Sequence, residues 1–160
     1  MAKPFVSVLI DTYNHERFIE KAIVSVLEQE YPAAEREILV VDDGSSDRTP
    51  EIIRRFEPQV RVLRKENGGQ ASAFNAGIPE CKGEIIAFLD GDDWWAPGKL
   101  KRVAEVLHSE PSVGLLGHGI YEAFADGSIR TTVPEKSERL QLNSLAAARV
   151  FRLRRSYLGT

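Results

Sequence analysis

The chain has a single cysteine, Cys81, and a single methionine among its 160 residues. One thiol cannot close an internal disulfide, so the fold must be held by packing, as suits a reducing compartment. Nowhere does the sequence approach the roughly 18 consecutive apolar residues that a membrane span needs. The N-terminal "MAKPFVSVLID" lacks the apolar stretch and small-residue cleavage site of a secretory leader. A basic excess is missing too: the net charge of -3 argues against broad attraction to nucleic acid. The first strand-to-helix turn, "DTYNHE", contains no glycine, which excludes the dinucleotide-binding turn, and no GxxxxGK[ST] occurs, which excludes a P-loop. The default expectation is a soluble cytoplasmic protein that binds no nucleic acid.

What is present is ordinary in bulk, 42% hydrophobic and 28% charged, and long enough for one domain with a real core. Short β-branched runs alternate with helical patterns through the first two-thirds, the signature of βαβ units and a mostly parallel sheet. "FVSVLI" (5 to 10), "EILVV" (37 to 41), "VRVL" (60 to 63) and "EIIAFL" (84 to 89) read as strands, the last so apolar that a central position is expected. Between them, Phe18, Ile19, Ala22, Ile23, Val26 and Leu27 recur at helical spacing after Asn14 as N-cap, with Tyr31-Pro32 as the stop. Ile52, Ile53 and Phe56 line a second helix, "GGQASAFNAGI" enters a short third, and Pro97 opens a fourth with Leu100, Val103, Ala104 and Leu107. Beyond Pro111, "VGLLGHG" reads as a fifth strand, "YEAFADGSIRTTV" as a hairpin turning at Asp126-Gly127, residues 134 to 141 as a polar linker and "NSLAAARVFRLRR" as a terminal helix.

In open α/β sheets ligands bind beyond the carboxyl ends of the strands, where strand order reverses. Strand one ends in "DTYN" (Asp11 to Asn14), strand two in "DDGSSD" (Asp42, Asp43, Asp47) and strand four in "DGDD" (Asp90, Asp92, Asp93). If those strands are neighbours, their carboxylates converge on one crevice. Unpaired carboxylates raise one another's pKa, so such a cluster is costly without a cation, and a hard divalent ion with oxygen ligands is the natural answer. Taken singly, Asp43, Asp47 and Asp93 read equally well as caps or turn residues. Trp94 and Trp95 are expected to pack under the loop, and Tyr13 to stack on a base.

Four stretches, "VSVLIDTYNHERFIEKAIVSVLEQEYP", "EILVVDDGSSDRTPEII", "ENGGQASAFNAGI" and "GEIIAFLDGDDWWAPGKL", stand in this order between residues 5 and 107. Together they resemble family 2 of the inverting glycosyltransferases. The resemblance implies a GT-A fold, a Rossmann-like three-layer α/β/α arrangement with a mostly parallel central sheet. It implies a nucleoside-diphosphate-sugar donor of UDP or dTDP type, a saccharide or lipid-linked acceptor of the kind met in polysaccharide biosynthesis, inversion, and Mg2+ or Mn2+. By the same resemblance Thr12, Tyr13, Asn14 and Glu16 hold base and ribose, and Asp42 accepts the base imide N–H. Gly69 and Gln70 meet the ribose and diphosphate. Asp90 lies near the ribose, and Asp92, after Gly91 in the DxD motif, ligates the metal.

Two departures accompany it. Asp11 takes the place of a proline common in the family. The general base that inversion needs, in the family an acid of a Glu-Asp pair beyond the hairpin, has no counterpart after residue 126; Glu135 and Glu138 lack that context, and no catalytic base is named. The expectation is one domain over 1–160, shortened at its C-terminus, with a nucleotide-binding part at 5–107 and an incomplete acceptor-side part at 112–160. A donor-binding unit without transferase activity is the rival reading. A phosphoacceptor receiver domain would want an Asp after the third strand, where "RVLRKENGG" has none. Arg149, Arg152, Arg154 and Arg155 read as a solvated helix face before they read as a peripheral contact with the inner membrane surface. His15, His108 and His118 are too scattered for a metal site and read as surface residues; Cys81 has no histidine partner to make it a nucleophile.

Overall fold

A computed structural model of the chain describes residues 3–117, 120–124 and 126–132. The chain divides into two compact units, Met1–His108 and Ser109–Thr160. The first is built on strand β1 (Val6–Thr12), buried at every position. A strand without a solvent face must be flanked by strands and covered by helices. The helix α1 (Ile19–Leu27) follows, then β2 (Arg36–Asp42), α2 (Thr49–Arg54), β3 (Arg61–Arg64), α3 (Gln70–Gly77), β4 (Ile85–Asp90) and α4 (Lys99–Ser109). All strand pairings in this unit are parallel, in the order β3-β2-β1-β4.

Alternation along β1 splits the core into two layers. Val6, Val8 and Ile10 join Ile19, Ile23, Val26, Ile53 and Leu100 on one face. Leu9 joins Leu39, Val41 and Ala73 on the other, beneath α3. A Cβ on Gly77 would stand 2.5 Å from Leu9 Cδ1, so α3 lies this close because that residue is glycine. The result is the expected three-layer α/β/α architecture. At the amino ends of the strands, Ser7 Oγ accepts the amides of Lys82 (3.1 Å) and Gly83 (2.7 Å) and donates to Glu37 Oε1 at 2.6 Å. Glu37 also accepts the Lys82 amide and an Arg61 N–H.

Three expectations need correcting. The apolar run at 84–89 predicts a central strand, yet among the described residues β4 ends the order and β1 lies inside it. The run contributes to both core clusters, Ile85, Ala87 and Leu89 to one and Ile86 to the other, but only Leu89 is buried and Phe88 is exposed. Asn14 does not cap α1, which begins at Ile19 after Phe18; it sits at φ +54 and serves a different loop. The "VGLLGHG" segment forms no strand over Val113–Gly117, where Gly114 and Gly117 interrupt it. In the second unit β5 (Ile120–Ala123) and β6 (Ile129–Thr132) form the predicted antiparallel hairpin. Asp126 accepts the Ser128 amide at 2.8 Å, and Gly127 supplies φ +83. No helix among the described residues is long and apolar enough to cross a membrane. The predicted linker at 134–141, the terminal helix, the C-terminal arginines, Glu135, Glu138 and His118 lie outside the described residues.

Candidate functional site

Strands β1, β2 and β4 are neighbours, as the acid-bearing strand ends required. The chain runs from β1 outward to β2 and β3, then returns past β1 to β4, so the order reverses between β1 and β4. At that point Asp11 and Asp90 are register partners. Asp11 is 8% exposed, and its carboxyl is pushed up to about 7 by burial first, then by the charges of Asp90 and Asp92. A hydrogen bond from Gln70 Nε2, at 3.5 Å, works against the shift. Asp90 is raised as well, by burial and then by Asp92, with Gln70 and His15 pulling the other way. These acids are short of positive charge.

The turn that presents them has no spare room. A Cβ on Gly91 would meet the Asp11 carbonyl oxygen at 2.7 Å, Thr12 Oγ1 at 2.8 Å and His15 Nδ1 at 2.9 Å. Thr12 Oγ1 and His15 Nδ1 are themselves buried without hydrogen-bond partners. Asp92 is partly exposed, and Asp93, also exposed, donates its amide to the Asp90 carbonyl at 3.0 Å. The two tryptophans diverge. Trp95 is buried in the core and donates its amide to Ser25 Oγ, whereas Trp94 is 45% exposed with the Lys21 ammonium 3.2 Å from its ring centroid.

Asp42 forms a second, separate place. It is the register partner of Thr12, and strand alternation turns it to the face opposite Leu39 and Val41. Although it is 1% exposed, only its Oδ1 is hydrogen-bonded, by the Ser45 amide at 2.9 Å. Its Oδ2 receives no hydrogen bond and stands 3.3 Å from Arg64 Nε. Arg64 also lines an open cavity of about 670 Å3 with Gly44, Lys65, Glu66 and Asn67. Tyr13, at the end of β1, is 44% exposed, which leaves its ring available for stacking.

Other acids in these strand-end motifs are spent on the loops. Asp43 accepts Lys65 Nζ at 2.5 Å and the amides of Gly68 (3.0 Å) and Gly69 (2.6 Å). Burial opposes its charge, but those donors outweigh burial and hold the carboxyl below its usual range. Asp47 accepts the amides of Glu16 and Thr49, while Asn14 Oδ1 accepts the Ser46 amide and Glu16 Oε2 that of Arg48. Asn14, Glu16 and Asp47 thus knit the loop after β1 to the loop after β2. Gly69, at φ +84, opens α3 and delivers Gln70 to Asp11.

Sequence reasoning missed His15 and Arg64. A lone histidine carries no signal of the glycine that will face it, and β3 drew no attention because no acid ends it.

The model of the glycosyl transferase family 2 matches residues 7–152. An uncharacterized glycosyltransferase of Nostoc sp. is 41% identical over 71% of this chain and 36% of its own length. Among solved structures, a mannosyltransferase from Pyrobaculum calidifontis in complex with GDP-Man and Mn2+ superposes with a TM-score of 0.64 and 33% identity. It aligns with 71% of this chain and 35% of its own. Staphylococcus aureus TarS in complex with UDP-GlcNAc gives a TM-score of 0.64 at 29% identity, covering 74% and 37% of the two chains. This chain therefore spans little more than a third of the length of these relatives. With the acid-bearing switch point of a parallel α/β/α sheet and a family match across nearly the whole sequence, the chain belongs to glycosyl transferase family 2 and has the GT-A fold.

Proposed function

We propose that this chain is the donor-binding part of an inverting, divalent-metal-dependent glycosyltransferase that takes a UDP- or dTDP-linked sugar. The observation that carries the reading is the group of mutually repelling acids, Asp11, Asp90 and Asp92, at the switch point between β1 and β4. Their chemistry fits Mg2+ or Mn2+. Among the described residues no three His, Cys, Asp or Glu side chains form a ready cage, which suits an ion held through one carboxylate with phosphate oxygens and water completing the shell. Asp92, partly exposed in the turn, would hold it; once bound, the ion supplies positive charge to the departing diphosphate.

The chain's own groups divide the rest of the donor. Asp42, ion-paired with Arg64, accepts a base N–H, and Tyr13 stacks on the ring. Asp90 takes the ribose, with Gly69 and Gln70 beside the diphosphate. Thr12, Asn14, Glu16 and Gly91 keep the loops in place around it. The acceptor is a saccharide or a lipid-linked one. Calorimetric titration with UDP and Mn2+ tests the reading: Asp92→Asn should abolish the manganese-dependent part of the affinity, and unchanged affinity would refute the role of Asp92. A donor-hydrolysis or transfer assay beside it separates an enzyme from a unit that binds donor without turnover.

A further inference from the structure

We propose that Ser25 and Gln29, at the far end of α1, are positioning residues that fix the Asp92 turn for its cation. The inference rests on the reading of Asp92 as metal ligand above, and it adds the groups that hold the backbone of that ligand in place.

The segment that carries Asp92 is fixed at both ends. Upstream, Asp90 is the last residue of β4, in register with Asp11, and Gly91 is packed too closely to admit a Cβ. Downstream, the backbone is taken up by α1. Ser25 Oγ donates to the Ala22 carbonyl at 2.7 Å and accepts the Trp95 amide at 3.0 Å. Gln29, 5% exposed, commits both ends of its amide group to the same region: Nε2 donates to the carbonyls of Ser25 and Ala96, each at 3.0 Å, and Oε1 accepts the Leu100 amide at 3.0 Å. It thereby ties the peptide after Trp95 to the first turn of α4. Lys21, four residues before Ser25 and so on the same face of α1, sets its ammonium over the Trp94 ring. Residues 94, 95 and 96 therefore meet α1 one after another.

Between the two anchors the chain has little freedom. Only Gly91, Asp92, Asp93 and Trp94 bridge them, and the Asp93 amide closes the turn on the Asp90 carbonyl at 3.0 Å. The Asp92 carboxylate goes where the anchors put it. A small hard cation demands near-octahedral oxygen ligands at short distances, so an ion shared between one carboxylate and a diphosphate needs that carboxylate at one place relative to the sheet. A buried polar side chain is costly unless it is hydrogen-bonded, and the Gln29 amide meets that condition by binding backbone on both sides of the turn's exit. Its neighbours on α1, Ala22, Ile23 and Val26, belong to the core, which makes the far end of the helix a rigid support for the turn.

The test is calorimetric titration of this chain with UDP, once with Mn2+ and once with EDTA in its place, for the wild type, Ser25→Ala, Ser25→Thr and Gln29→Glu. Ser25→Ala removes the acceptor of the Trp95 amide in a helix that alanine favours, and Ser25→Thr restores a hydroxyl. Gln29→Glu keeps an acceptor for Leu100 and sets a carboxylate against the two carbonyl oxygens. Circular dichroism verifies folding, and should Gln29→Glu fail to fold, the Ser25 variants decide alone. With Mn2+, Ser25→Ala and Gln29→Glu should each weaken UDP binding about tenfold, the loss met when a group that orients a metal ligand is removed. With EDTA the change should stay under about twofold, and Ser25→Thr should match the wild type in both buffers. A loss of equal size in both buffers would show that these side chains serve the fold in general, and no loss with Mn2+ would show that the turn does not need them. Either result overturns the proposal and leaves donor binding standing. A wild type whose UDP affinity does not respond to Mn2+ removes the metal role of Asp92, and this inference with it.

Discussion

The Asp11 carboxyl, pushed up to about 7 in the folded chain against 3.8 in the unfolded one, links folding to pH, and Asp90 and Asp93, the latter raised to about 6, act in the same sense. Between those values the folded state keeps a proton that the unfolded state has released, so stability falls as pH rises. Asp43 and Asp47 are shifted downward and act in the opposite sense, but their contributions are complete above about pH 5. In metal-free buffer, the free energy of urea unfolding should therefore drop by roughly 3 kcal/mol from pH 5 to pH 8. Asp11→Asn should lessen that slope without removing it, because Asp90 and Asp93 still titrate in the same sense, and an unchanged slope would show that Asp11 is not among its sources. Gly91→Ala acts by contact instead: a new Cβ at 2.7–2.9 Å from three atoms should cost about 1–3 kcal/mol, read from the denaturation midpoint. Asp90 and Asp92 were legible in sequence because a short run ends a strand with them. Arg64 and His15 were not, since their partners, Asp42 and Gly91, are brought to them only by strand pairing and loop packing.

Among the elements, the loop from Glu66 to Gly69 depends on one side chain. Asp43→Ala would strand the Lys65 ammonium and release the amides of Gly68 and Gly69. The expected loss is about 3 kcal/mol, with much faster hydrogen exchange at those two amides; protection that persists would mean the loop is held by other contacts. Strands and helices were readable from apolar spacing, because burial on two faces of β1 and on one stripe of α1 leaves that imprint directly. Strand order was not readable in the same way. An apolar run reports packing against neighbouring layers, and β4 supplies Ile85, Ala87, Leu89 and Ile86 to them while Phe88 stays exposed and its hydrogen-bonded neighbour among the described residues, β1, lies on one side. Asn14 misled because its left-handed backbone aims an ordinary capping side chain at Ser46, in the loop after β2.

For the whole molecule, every residue assigned to the donor lies within Met1–His108, the first compact unit. Residues 1–110 alone should bind UDP with Mn2+ within about threefold of the full chain's affinity, as measured by calorimetry. A larger loss would place part of the donor site in the second unit. Within the first unit, the positions of the acids are decided far from them. Ser7 and Glu37 grip the amides of Lys82 and Gly83 where β4 begins, and the strand then rises by about 3.3 Å per residue until Asp90 emerges beside Asp11, roughly 20 Å away. Ser7 is the zero mark of a ruler. Deleting Gly83 would shift every division by one, bring Gly91 to the place of Asp90 and turn the acid to the wrong face, disabling the site with none of its own residues changed.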